Sequence, residues 1–128
     1  DLDGDDLRRD PRLKGHGGRF MQVVGAVLEN IDNADTAIRP LLFQLGERHA
    51  YYDGFKPEYF EQYKKGMMYM CEQNFGDKLT PKLRDLWTKV FNFIIDSVRD
   101  GCVEALRHRE DDRQYSVARD AQVTRGTI

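Results

Sequence analysis

Residues 42–60, LFQLGERHAYYDGFKPEYF, decide the fold that we predict for this chain. The segment continues an apolar helical stripe and then forms a turn over residues 52–57. Pro57, the last residue of this turn, begins another helix. His49 is the polar member of that stripe, whose other members, at steps of three and four, are Ile38, Leu41, Leu42 and Leu45. A buried imidazole without a partner costs roughly 1–3 kcal/mol, so we expect the ring nitrogens of His49 to be engaged.

A second histidine, His16, lies on the preceding predicted helix in the same kind of position. The stripe that follows it consists of Phe20, Val23, Val24, Val27 and Ile31. Two imidazoles on consecutive helices can share one partner, and a metal in a flat apolar cofactor is the natural candidate. A single histidine on an apolar face is more often an ordinary core or surface residue. The hypothesis of a shared metal therefore rests on the two histidines together.

The remaining pattern is helical throughout, and no alternation of period two predicts a strand. A first helix over residues 11–31 begins with an Asp-Pro pair, in which Asp is the cap. A second covers 36–51, where Pro40 predicts either two pieces or a start near Arg39. A third runs from 57 to 75. The fourth and longest begins at a Thr-Pro pair and extends to about residue 107. The predicted fold class is all-α.

The amino-acid composition disfavours several classes of function and partner. The 128 residues form one domain or part of one, with a hydrophobic fraction of 40%. The 20 basic and 22 acidic residues are intermixed and leave a net charge of −2, which favours neither nucleic acid nor a membrane surface as partner. We find no secretory leader, and Cys71 and Cys102 are too few for a disulfide framework. We therefore expect reduced thiols and a cytoplasmic location.

Three segments resemble the globin family. LKGHGGRFMQVVGAVLENID, residues 13–32, resembles the helix that carries the distal histidine of globins. Residues 42–60 resemble the helix with the proximal histidine, the following corner and the start of the next helix. MMYMCEQNFGDKLTPKLRDLWTKVFNFII, residues 67–95, resembles the last two helices. The similarity covers residues 11–106 and looks closer to nerve-type and invertebrate globins than to myoglobin.

The resemblance implies a globin-like fold of which this chain supplies the second half, from the distal-histidine helix to the last helix. We divide the chain into an acidic leader over 1–10, a partial globin domain over 11–106 and a polar tail over 107–128. The tail is expected to be partly disordered. Because earlier helices would be missing, we expect an uncovered apolar face suited to a homodimer, and weaker retention of haem than in a complete globin.

The resemblance also implies a site for haem b. His49 would be the proximal iron ligand, with its other N–H bonded to a carbonyl near Leu45. His16 would be the distal residue, which either donates a hydrogen bond to bound O₂ or binds iron as a sixth ligand. Arg19 would reach a propionate and Phe20 would cover the distal face. The other residues of the implied pocket are Val23, Leu45, Phe55, Phe60, Tyr63 and Met67.

The function that follows from the resemblance is reversible binding of O₂ or another diatomic gas, for storage, transport or sensing. We expect no enzymatic activity. Two alternatives stay open: a haem-free globin-like sensor or interaction module, and a redox or nitric-oxide-scavenging enzyme that uses the same iron.

Overall fold

The computed structural model describes residues 4–126, apart from the surroundings of Gly4 and the side chain of Leu7. Within that range the chain is all-α, as predicted, and contains no strand. Short 3₁₀ turns occupy Ile31–Asn33 and Gly76–Lys78. Among residues 4–126, none of the helices combines the length and the apolar character that crossing a bilayer requires. The helices are α1 (Gly4–Arg9), α2 (Pro11–Glu29), α3 (Ala34–Ala37), α4 (Arg39–His49), α5 (Tyr59–Phe75) and α6 (Pro81–Gly126).

The chain divides into two compact units, residues 1–40 and residues 41–128. In the first unit, α2 begins at the predicted cap, since the Asp10 carboxylate accepts a hydrogen bond from the Arg12 main-chain N–H at 2.8 Å. Val24 and Val27 are the buried residues of α2. The helix ends at Asn30, whose side-chain amide donates to the Ala26 carbonyl at 2.8 Å.

Pro40 explains why the predicted helix over 36–51 is divided. The chain forms the short α3, leaves the helix at Ile38 and begins α4 at Arg39. Pro40 is then the second residue of α4, where its missing N–H leaves no hydrogen bond unmade. The predicted start near Arg39 is confirmed.

In the second unit, α6 supplies most of the core. Its buried apolar residues are Val90, Phe91, Ile94, Ile95, Val98, Cys102 and Ala105. Ser97 is also buried, and its hydroxyl donates to the Phe93 carbonyl at 2.6 Å, which satisfies that polar group. Thr80 caps the helix as predicted, because its hydroxyl oxygen accepts from the Leu83 main-chain N–H at 3.2 Å.

Helices α4 and α6 approach each other through glycine. Gly46 on α4 and Gly101 on α6 are both buried. A β-carbon on Gly101 would lie 1.9 Å from the Phe43 carbonyl oxygen, far inside van der Waals contact. The main chains of these two helices can meet at this distance only because neither position carries a side chain.

At both ends of the described range the structure has helix where the sequence analysis expects a loop or a partly disordered tail. The tail predicted to be partly disordered belongs to α6 through Gly126, because residues 102–125 contain neither Gly nor Pro and several ion pairs lie one turn apart. Arg113 and Glu110, for example, approach within 2.8 Å. In the predicted leader loop, residues 4–9 form α1, with acidic residues in its first turn and basic ones in its last. Residues 1–3 and 127–128 lie outside the described range.

Candidate functional site

His49 is the last residue of α4, and its ring is oriented by the helix itself. Its Nδ1 lies 2.7 Å from the Leu45 carbonyl oxygen, one turn earlier. A carbonyl oxygen only accepts hydrogen bonds, so Nδ1 carries the proton and donates it. In the neutral ring, Nε2 therefore keeps its lone pair for a ligand, and this is the tautomer that metal-binding histidines normally adopt.

Aromatic rings surround the His49 imidazole. The ring centres of Phe55 and Phe60 lie 5.3 and 5.8 Å from that of His49, and the two phenylalanine rings are 5.1 Å apart. Tyr52 also contacts the imidazole, at 5.0 Å between ring centres. The sequence analysis did not include Tyr52, although its position three residues after His49 in a tight turn was a usable signal.

Two further predicted pocket residues lie on α5, at steps of three and four after Phe60. Tyr63 and Met67 are half-buried, so both continue the Phe60 face of that helix. Burial raises the pKa of the Tyr63 hydroxyl, which keeps it protonated and uncharged at neutral pH. Together with Leu45, His49, Phe55 and Phe60, these residues give the second unit six of the predicted pocket residues.

The other four predicted residues lie on α2, in the first unit. Phe20 and Val23 are half-buried, whereas His16 and Arg19 are exposed. Residues 11–19 of α2 are all exposed. The burial of His16 in an apolar pocket stays a prediction. Pairing of His16 with His49 at one iron stays a prediction.

The residues around His49 fit one side of a haem. A porphyrin brings four nitrogen ligands of its own, so the protein needs to offer only one neutral imidazole nitrogen and apolar walls. His49 offers the nitrogen, and Phe55 and Phe60 offer apolar surface beside it. Within residues 4–126, no group of three or more His, Cys, Asp or Glu side chains is arranged to hold a metal ion by itself.

Comparison with known proteins agrees with the resemblance. The family model described as Globin matches residues 1–98. The chain is 24% identical to Cytoglobin-2 of Danio rerio over 88 residues, which are 69% of this chain and 49% of that protein. It is 25% identical to Neuroglobin of Tetraodon nigroviridis over 96 residues, 75% of this chain and 59% of the relative. Neuroglobin-1 of Oncorhynchus mykiss is 24% identical over 106 residues, 83% of this chain and 65% of the relative.

The chain spans between 49% and 65% of the length of these relatives. No solved structure matches it. The match to the Globin family model begins at residue 1, before the start of the resemblance over 11–106. It ends at residue 98, within α6.

Proposed function

The chain belongs to the globin family, and from this premise we propose that it is a haem protein that reversibly binds O₂ or another diatomic gas. The observation that carries the proposal is the hydrogen bond from His49 Nδ1 to the Leu45 carbonyl at 2.7 Å. It leaves Nε2 as the ligand atom and increases the electron density that the ring offers to a metal.

In this proposal His49 is the proximal ligand, and Leu45, Phe55, Phe60, Tyr63 and Met67 give the proximal side its apolar surface. When bound, haem supplies an iron centre at which a diatomic gas can bind. The protein's part is to hold the imidazole at a fixed angle and to exclude water with aromatic rings. His16 as the distal residue, Arg19 as a propionate partner, and Phe20 and Val23 as the distal wall complete the proposal. The cofactor that we propose is haem b.

The visible spectrum of the full chain after reconstitution with haem tests the proposal. We expect a Soret band in stoichiometric amount and a reversible change of the ferrous spectrum with O₂ or carbon monoxide. Sharp, split bands in the ferrous deoxy form would mean that His16 also binds iron, whereas one broad band would mean a coordination position open to gas. No Soret band would contradict the proposal and leave the haem-free interaction module.

Turnover distinguishes gas binding from the redox alternative. We propose binding without catalysis, so nitric oxide should be consumed once per haem and not continuously in the presence of a reductant. Self-association through an exposed apolar face stays a prediction, which sedimentation velocity over a range of concentrations would test.

A further inference from the structure

Directly after His49, successive tight turns close the end of α4. Three main-chain hydrogen bonds form them: Ala50 N–H to Glu47 O at 3.3 Å, Tyr51 N–H to Arg48 O at 3.1 Å, and Tyr52 N–H to His49 O at 3.1 Å. Each bond satisfies a carbonyl that the helix end would otherwise leave unpaired. The carbonyl of Ala50 comes next in this series, and Ala50 is only 6% exposed.

Arg109, on the last part of α6, satisfies that carbonyl. Its Nη1 donates to the Ala50 oxygen at 2.7 Å across a separation of 59 residues. The same guanidinium lies 5.0 Å from the centre of the Tyr51 ring. A hydrogen bond from a charged donor is stronger than a neutral one, and a cation is favourable at the carboxyl end of a helix. One side chain thus holds the two residues that directly follow His49.

The orientation of the His49 ring depends on this helix end. The bond from Nδ1 to Leu45 forms only while the last turn of α4 keeps its helical conformation, because it joins residues four apart. Terminal turns fray readily, and His49 is the terminal residue. A contact that restrains Ala50 and Tyr51 therefore restrains the imidazole through the main chain.

We propose that Arg109 is a positioning residue for the proximal histidine, acting through Ala50 and Tyr51 from the carboxyl-terminal extension of α6, residues 107–126. The consequence for haem rests on the proposed function, since it takes His49 as the iron ligand. The consequence for the imidazole itself does not, because the contacts involve only this chain's own residues.

The test uses the full chain without haem, labelled with ¹⁵N in histidine and along the backbone. Arg109→Met keeps most of the apolar stem and removes the guanidinium. Arg113→Met is the matched control, because Arg113 lies one turn later on α6 and its ion pair is with Glu110 of the same helix. Measurements are made at about pH 8.5, well above the ordinary histidine pKa of about 6.5.

In Arg109→Met we expect the His49 signal to lose part of its Nδ1–H tautomer. We also expect hydrogen exchange at the Tyr51 and Tyr52 amides to rise about tenfold or more. Arg113→Met should change neither. If Arg109→Met does not fold, Arg109→Lys serves instead: it keeps a charged donor but loses the planar contact with Tyr51, and we expect an intermediate effect on the same two readouts.

A wild-type tautomer and unchanged exchange at Tyr51 and Tyr52 in Arg109→Met would overturn the proposal. So would a uniform increase in exchange over α5 and α6 with the His49 tautomer intact, since that is the result of a merely structural role. Failure of the wild-type chain to bind haem would contradict the proposed function and leave these two readouts valid. If haem binds, the iron–histidine stretching band of the ferrous form should shift in Arg109→Met and not in Arg113→Met.

Discussion

Gly46 faces the main chain of Val98 so closely that a β-carbon on Gly46 would lie 1.8 Å from the Val98 carbonyl oxygen. Three positions later on α6, Gly101 faces Phe43 of α4 in the same way. These reciprocal contacts join the helix that carries His49 to the helix that supplies most of the core. The position of the imidazole therefore depends on two residues without side chains.

Alanine at either glycine should be strongly destabilising. The added methyl group would meet main-chain atoms, which cannot turn aside as a flexible side chain can, so α4 and α6 must separate. We expect Gly46→Ala and Gly101→Ala each to lower the free energy of unfolding by about 3 kcal/mol or more in urea denaturation. Gly66→Ala is the control, because nothing lies within 4 Å of that position on α5. It should be neutral or stabilise by about 0.5–1 kcal/mol. Equal effects at positions 46 and 66 would disprove the close approach.

The histidines should differ in their effect on haem. We expect His49→Ala to abolish the Soret band of the reconstituted protein, because it removes the Nε2 ligand. His16→Ala should leave haem bound and change the rates of gas association and dissociation. His108→Ala is the control, since His108 is exposed and lies 3.1 Å from Glu104 on the same helix. Haem bound normally by His49→Ala would show that the proposed ligand is wrong.

The cap of α2 should respond to acid. Hydrogen bonds from the side chain and main chain of Arg12 hold the pKa of the Asp10 carboxyl at about 2, below its ordinary value of 3.8. Because the pKa is lowered in the folded state, the cap is fully formed above pH 4 and is lost as pH falls toward 2. Carboxyl ¹³C shifts of Asp10 followed from pH 6 to pH 1.5 measure this directly.

Arg12→Met should return the Asp10 pKa toward 3.8, since it removes the side chain that contributes most to the shift. Lys14→Met is the matched control, because the Lys14 side chain makes no contribution to that pKa. A titration of Asp10 that is the same in wild type and Arg12→Met would refute the assignment.

The two thiols should be inert while the chain is folded. Burial raises the pKa of both Cys71 and Cys102, so less of the reactive thiolate is present at neutral pH, and access is blocked as well. We expect negligible reaction with Ellman's reagent at pH 7.5 in buffer and reaction of both thiols in denaturant. Rapid reaction of the folded protein would mean that one of these sites opens to solvent.

Stability should be uneven along α6. Residues 90–102 include the buried core, whereas the side chains of residues 107–126, except Ser116, are exposed. We expect amide exchange to be slowest around Ile94–Cys102 and to increase beyond residue 110, because an unpacked helix opens at little cost. Hydrogen exchange followed by NMR would show this gradient. Uniform protection through residue 126 would imply a packing partner for the extension.

Much of the local structure could be predicted because its causes lie close together in sequence. The caps at Asp10 and Thr80 and the broken helix at Pro40 each depend on residues only a few positions apart. The bond from His49 to Leu45 spans four residues, so it follows from the helix alone. The full length of α6 was not predicted from the sequence. A polar segment without an apolar stripe does not show whether ion pairs and helix propensity are enough to keep it helical.

By itself, the sequence determined the all-α class, the starts of α2, α4 and α6 and the choice of His49 as the candidate ligand, because helix periodicity, capping and contacts four residues apart are local. Only the tertiary structure decided which glycines sit between helices and that Arg109 holds the turn after His49. Those outcomes depend on which helices pack together. Contacts between residues 50 or more positions apart, such as Gly46 with Val98 and Arg109 with Ala50, leave no regular spacing in the chain from which they could be read.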